Sequence, residues 1–356
     1  MNEREDTKSS RSFIKDKQAL QSRLTLTSEE ARWQESDEAL PLLISSYYLS
    51  LINPDDPDDP IRKQVVPSCA ETVCTYAEST DPQDEKHYSI TNRLIRRYRS
   101  RAAFLVTDTC ATYCRYCFRR RFSGGNAGPA DNNDIIRAAE YLAMHPQVKE
   151  LLLTGGDLLT LSDKRIDEMI TVFRTYRADL VIRLCSRIPV TYPMRVTDGL
   201  IEVLKKHKSA PIYLFTQFNH PREITKESTA AIACFVDAGI PAMNQTVLLK
   251  GINDSVDTLV QLMQQLVSIR VKPYYLFQGD LVGGTSHFRV PLERGLELEQ
   301  ALRQQLSGLA MPVYAVDLPE GGGKVPLGRT YLEGRDESGA WIFRTADGDK
   351  RTYVDP

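Results

Sequence analysis

No stretch of this chain approaches the ~18 consecutive apolar residues that a membrane-spanning helix needs, so no helical span is expected. The first 23 residues are rich in Lys, Arg, Asp, Glu and Ser and lack the apolar core of a secretory signal. Export is therefore not expected, and the cytoplasm is the expected location. An excess of one charge is also missing. The 45 Lys and Arg against 47 Asp and Glu leave a net charge of −2, which offers polyanions no global attraction and by itself neither favours nor excludes nucleic acid. There is no tandem repeat, no low-complexity tract and no disulfide framework. The cysteines number seven, an odd count with three crowded together, and a reducing compartment leaves such thiols free for metal ligation. Cys69, Cys74, Cys185 and Cys234 stand in apolar or mixed surroundings and read as packing.

What is present is an ordinary globular balance, 42% apolar and 26% charged, on 356 residues, enough for one α/β barrel with appendages. Prolines at every third position from Pro54 to Pro60, with acidic pairs between them, mark an exposed turn. The apolar segment 40–51 before it has helical length, so residues 1–92 are expected to form a mostly helical N-terminal extension. From residue 103 onward, short runs rich in β-branched residues (103–106, 150–153, 180–184, 211–215, 241–247, 271–277 and 312–316) alternate with segments of helical period. Those helical segments are 135–144, 163–176, 225–238, 255–269 and 293–306. Strand and helix repeating at that spacing imply βαβ units around a parallel sheet. The count fits a partial (β/α) barrel of about six units over residues 93–326, with chemistry at the C-terminal ends of its strands. Runs at 329–333, 340–344 and 350–354 separated by turn residues predict a small β tail over 327–356.

Directly after the first of these strands comes Cys110-x-x-x-Cys114-x-x-Cys117. Three thiolates at that spacing can converge on one inorganic centre. They are one ligand short of a closed 4Fe–4S cluster, which leaves an iron open for substrate, by the same logic as the open position of a catalytic zinc. With Tyr116 before the last cysteine, this segment resembles the radical S-adenosylmethionine (SAM) superfamily. Further segments narrow the resemblance to the lysine 2,3-aminomutase family over roughly residues 40–326. They are 47–51 (YYLSL), 60–64 (PIRKQ), 97–101 (RYRSR), 117–122 (CFRRRF), 154–157 (TGGD), 218–221 (FNHP), 244–249 (NQTVLL), 273–275 (PYY) and 321–324 (GGGK).

The resemblance implies a 4Fe–4S cluster on Cys110, Cys114 and Cys117, S-adenosylmethionine on the open iron, and pyridoxal 5′-phosphate held by Lys324. The glycines at 321–323 let the backbone approach a ligand closely, and the lysine amine can form a Schiff base. Val325 and the glycine spacing rule out a P-loop. Five arginines fall within residues 93–101, a pattern that also suits a solvated face or an RNA contact. Arg97 and Arg101 align with the family's phosphate-binding pair, and guanidinium forks suit a phosphate dianion. By the same similarity Gly155, Gly156, Asp157, Gln217 and Gln245 bind S-adenosylmethionine. Arg119 takes the α-carboxylate of an amino acid, and Asp280 with Asp317 receives its distal ammonium. A buried cation requires paired countercharge, so two carboxylates point to a basic amino acid, lysine before arginine or ornithine, and against glutamate.

The implied reaction moves the α-amino group to the β carbon through a 5′-deoxyadenosyl radical. A flavodoxin or ferredoxin is the expected electron donor, a small amino acid the substrate, and a homo-oligomer the expected assembly, with neither membrane nor nucleic acid as partner. Readings left open are an enzyme making (R)-β-lysine for an elongation factor, an arginine or ornithine aminomutase, and, further off, an RNA-modifying radical enzyme. Gln217 replaces a histidine common in the family, Phe277 replaces a tyrosine, and the C-terminal cysteines that hold zinc in some relatives are lacking, so no zinc is expected.

Overall fold

The computed structural model describes residues 12–36 and 39–355. In the N-terminal part, strand β1 (Phe13–Ile14) pairs antiparallel with β2 (Ile44–Ser45). Four short helices accompany them: α1 (Lys17–Gln21), α2 (Ser28–Arg32), α3 (Ser46–Ser50) and α4 (Pro60–Val65). Each starts on a side-chain cap that satisfies orphan N–H groups. Thr27 and Glu30 form a capping box on α2, Ser45 accepts from Tyr48 N on α3, and Asp59 accepts from Ile61 and Arg62 on α4. Asp59 is fully buried, unlike its neighbours in the otherwise exposed acidic turn.

The expectation of a mostly helical extension needs correction. Among the described residues it is helical only in these pieces of five or six residues and a single 3₁₀ turn at Cys69–Thr72, and residues 1–11 and 37–38 lie outside the described residues. Segment 40–51, expected as one helix, is extended through Ile44 and turns helical only where the Ser45 hydroxyl caps a new start. Pro41 and the pairing of Ile44 with Ile14 hold its first half out of helix.

The rest of the chain before the tail builds a nine-stranded sheet. It opens with β3 (Leu94–Ile95) and β4 (Arg101–Thr107), followed by α5 (Asn132–Met144), β5 (Glu150–Gly155), α6 (Asp163–Tyr176) and β6 (Val181–Cys185). Next come α7 (Ile188–Thr191), α8 (Asp198–Lys206), β7 (Ile212–Thr216), α9 (Lys226–Asp237) and β8 (Ala242–Val247). It closes with α10 (Val256–Ser268), β9 (Val271–Phe277), α11 (Leu292–Gln305), β10 (Val313–Leu318) and β11 (Gly323–Pro326). Strands β4 to β10 are parallel and neighbours in chain order, with antiparallel β3 and β11 at the two edges. This is a partial (β/α) barrel of six units. Helix α8 escaped the periodicity reading because it is only nine residues long, yet Leu200, Ile201 and Leu204 give it one buried face.

Alternation along the strands decides where the hydrophobic core ends and the site begins. Leu151, Leu153, Ile182, Leu184, Leu214 and Leu276 are fully buried in the apolar core that also takes Ile166, Ile170 and Phe173 of α6. Their alternating neighbours, Leu152, Thr154, Arg183, Cys185, Phe215, Tyr275 and Phe277, line an internal cavity instead. Leu20, Trp33, Tyr48, Ile61 and Val65 of the N-terminal part join the same core as the barrel. Strands β12 (Leu332–Arg335), β13 (Trp341–Arg344) and β14 (Lys350–Tyr353) form a separate antiparallel sheet in the tail.

Candidate active site

The three clustered cysteines sit in the loop that leaves β4 at Thr107, and the N-terminal part grips this loop along its length. Tyr113 N donates to Leu43 O at 2.9 Å, Ser45 N to the Thr112 hydroxyl at 3.1 Å, and Arg115 N to Gln64 O at 2.8 Å. The buried Arg115 guanidinium, between the second and third cysteines, binds the carbonyls of Leu40 and Pro41 and both oxygens of Glu71. From the other side, Gly156 N donates to Thr107 O at 2.6 Å and Asp157 N to Thr109 O at 2.8 Å. A side chain on Gly156 would meet Thr109 O at 2.3 Å, and Gly155 has φ +112°, so both glycines are required for this approach of β5 to the cysteine loop.

All three cysteines are free thiols on the wall of one cavity of about 340 Å³ at the C-terminal ends of the strands. Burial pushes the Cys110 thiol far up, with the Asp157 carboxylate adding to it, and burial also raises Cys117. Three thiols on one cavity wall can ligate a metal as thiolates. Among the described residues no three His, Cys, Asp or Glu side chains gather as a ligand set for a metal ion. The three thiols share one cavity wall.

A second group lies on the last hairpin. Lys324 is on strand β11, directly opposite Asp317 of β10, and the two are ion-paired. The turn between them needs Gly321, whose φ is +71° and whose face packs on the Tyr88 ring. The Lys324 amine sits 3.9 Å from the Phe277 ring centre and 5.2 Å from that of Tyr275. Burial lowers its proton affinity, while Asp317 works against that shift. Asp317 also accepts from Arg97 Nη2 at 2.8 Å, and Arg97 Nη1 is buried with no partner. An orphaned guanidinium nitrogen beside a desolvated lysine fits a phosphate-bearing aldehyde such as pyridoxal phosphate.

Arg101 stacks on the Tyr98 ring at 3.6 Å, and the Tyr98 hydroxyl accepts from Lys324 N at 3.0 Å, so one tyrosine connects both arginines with the lysine strand. Of the arginine run, only Arg97 and Arg101 line the cavity; Arg93 turns to the carbonyls of Ala127 and Gly128, and Arg96 to Tyr141.

Asp280 lines the cavity near this hairpin and accepts from Gln83 at 3.0 Å. Burial pushes its carboxyl up to about 6, the Gln83 hydrogen bond pulls it back, and the Asp317 charge adds to the rise. Arg119 is gripped by Glu85, at 2.7 and 2.9 Å, and by the Thr154 hydroxyl at 2.9 Å, which leaves donors on its two terminal nitrogens. Gln217 and Gln245 complete the wall, so every residue singled out from the sequence faces the same cavity. One of them has a different immediate task. The Asp157 carboxylate accepts from the backbone of Leu159, Arg187 and Ile188, and so ties the end of β5 to the loop after β6.

Sequence reasoning passed over Arg187, Glu85, Gln83 and Tyr98. Tyr98 lies inside a quoted segment and Arg187 two residues past a strand end, which were the available signals.

The fold and the cysteine loop define a class, and residues 104–263 match the Radical SAM superfamily. Those residues are thus a radical SAM domain, which implies a 4Fe–4S cluster and S-adenosylmethionine. It is 41% identical to L-lysine 2,3-aminomutase of Clostridium subterminale over 347 residues, 97% of this chain and 83% of that protein. It is 42% identical to L-lysine 2,3-aminomutase of Fusobacterium nucleatum over 319 residues (90% and 74%), and 40% identical to glutamate 2,3-aminomutase of Clostridioides difficile over 320 residues (90% and 75%). The chain belongs to the lysine 2,3-aminomutase family, a family of isomerases.

Proposed function

We propose that the chain is a pyridoxal phosphate-dependent 2,3-aminomutase of a basic amino acid, with L-lysine its first substrate. Because a glutamate enzyme is about as similar as the lysine enzymes, overall identity does not choose the substrate. The observation that carries the reading is the pair Asp280 and Asp317 in one cavity with Lys324, with Arg119 in the same wall. A substrate with a carboxylate at one end and a cation at the other meets matching charge at both, whereas a glutamate side chain would face two carboxylates.

In this reading Cys110, Cys114 and Cys117 hold the cluster and leave one iron open. Gly155, Gly156, Gln217 and Gln245 bound the S-adenosylmethionine site, with Asp157 fixing its backbone. Lys324 holds the pyridoxal aldehyde and Arg97 with Arg101 its phosphate. Bound there, a cluster would supply the electron for cleavage of S-adenosylmethionine, and pyridoxal phosphate would supply the π-system that nitrogen migration needs. The protein side chains orient and enclose: Arg119 fixes the substrate carboxylate beside the cysteine loop, and Asp280 with Asp317 anchors the far end. The same reading divides the chain into an extension (1–92), a catalytic barrel (93–326) and a β tail (327–356). It places the protein in the cytoplasm as a homo-oligomer reduced by a flavodoxin or ferredoxin. No helix among the described residues is long and apolar enough to cross a membrane.

The test is anaerobic reconstitution, reduction, and incubation with S-adenosylmethionine and lysine, arginine, ornithine or glutamate. The expected product is a β-amino isomer of a basic amino acid, and chromatography against standards assigns its chirality. Turnover of glutamate alone, or of none of the four, defeats the assignment.

A further inference from the structure

Arg187 belongs to no part of the site that the sequence suggested, yet its guanidinium donates directly to a sulfur of the cysteine loop. Its Nη1 lies 2.8 Å from the Cys114 sulfur. The side chain is only 8% exposed, and its carboxylate partner Glu223, at 2.6 Å, is fully buried. The backbone of Arg187 is fixed by Asp157, at 2.7 Å from its N–H. Its remaining donors reach Gln64 Oε1 at 2.7 Å and Gln217 O at 3.3 Å, and its plane lies near the rings of Tyr48 and Tyr116. Glu223 is held in turn by the N–H groups of Asn219 and His220 and by the Tyr48 hydroxyl. A desolvated guanidinium is thus aimed at one sulfur, with a desolvated carboxylate behind it.

We propose that Arg187 is a positioning residue that sets the reduction potential of the cluster through its hydrogen bond to Cys114, with Glu223 as the opposing charge. The proposal rests on the reading of the three cysteines as cluster ligands. A donor on a ligand sulfur withdraws electron density from the iron and stabilises the added electron, and a nearby positive charge in a low dielectric does the same. Glu223 lies behind the guanidinium and moderates that effect. The two residues therefore act on the potential with opposite signs.

An EPR-monitored anaerobic redox titration of the reconstituted full chain, without S-adenosylmethionine, measures this directly. Arg187→Gln is expected to bias the cluster at least tenfold toward the oxidised form, a shift of about 59 mV to more negative potential for a one-electron couple. Glu223→Gln is expected to move the midpoint the other way. Iron and sulfide content are measured first: wild type that loads no cluster sinks the cysteine reading itself. With wild type loaded, variant midpoints within twofold of wild type, or both moving in one direction, overturn the Arg187 proposal alone. If Arg187→Gln fails to load, Arg187→Lys replaces it. That variant keeps the charge, is too short to bridge Glu223 and Cys114, and must still move negative.

Discussion

Asp317 and Lys324 face each other across the β10–β11 ladder, carboxylate against amine. The carboxylate holds the free amine in place, and in the proposed function an aldehyde on that amine would leave the same carboxylate available to another cation. Asp317→Asn is therefore expected to keep pyridoxal absorbance, which only Lys324→Ala abolishes. Its kcat/KM for lysine should fall by roughly two orders of magnitude, about 3 kcal/mol. Wild-type efficiency in Asp317→Asn would remove this residue from substrate binding.

The Asp280 carboxyl, pushed up to about 6 mainly by burial, is neutral below that pH and charged above it. A bound ammonium favours the charged form, so affinity for a basic amino acid is expected to strengthen as pH rises through about 6 and to weaken below it. A KM profile over that range checks the sign. Asp280→Asn should flatten this limb, and a limb that persists in the variant assigns the titration elsewhere.

Arg97 carries a buried nitrogen without a partner in the cavity wall. If a phosphate completes it, Arg97→Gln should weaken pyridoxal phosphate binding by at least about tenfold, in line with the ~1.5–3 kcal/mol of a charged hydrogen bond. Binding of pyridoxal without phosphate should be unchanged. Equal losses for both ligands would show that Arg97 supports the pocket instead of the phosphate.

Glu71 binds Arg115 and Arg120 at 2.6 Å each, with Glu71 and Arg115 almost wholly buried. Burial alone would raise the Glu71 carboxyl, but the two guanidinium groups outweigh it and hold it below the usual carboxylate range. This contribution to stability is present above the ordinary carboxyl pKa and is lost as pH falls through the lowered one. Glu71→Gln leaves both arginines short of countercharge and is expected to cost about 3–5 kcal/mol in denaturant unfolding at neutral pH. It should also release iron from the reconstituted protein sooner. Unchanged stability together with unchanged iron retention contradicts the clamp.

The barrel was readable from the sequence because each strand is a short apolar run bounded by breakers, and because helices such as α6 bury one regular stripe. The cavity residues were readable only through resemblance, since nothing local in Gln245 or Asp280 distinguishes a ligand from a surface residue. What stayed hidden depends on contacts distant in sequence. The capture of Ile44 by Ile14 turned an expected helix into a strand, and Arg187 gained its meaning from Glu223, Gln64 and Cys114 together. Asp157 was legible as a site residue but not as the brace between two strand ends, because its partners are backbone groups about thirty positions away.

Strand β11 lies at one edge of the sheet and pairs only with β10. During synthesis the three cysteines and the segments that grip them, residues 40–71, leave the ribosome well before Lys324 does. The order of assembly is then written into the chain: the cysteine loop and its N-terminal clamp can meet while the rest of the wall is still unmade, whereas the proposed aldehyde site is complete only when the final hairpin closes.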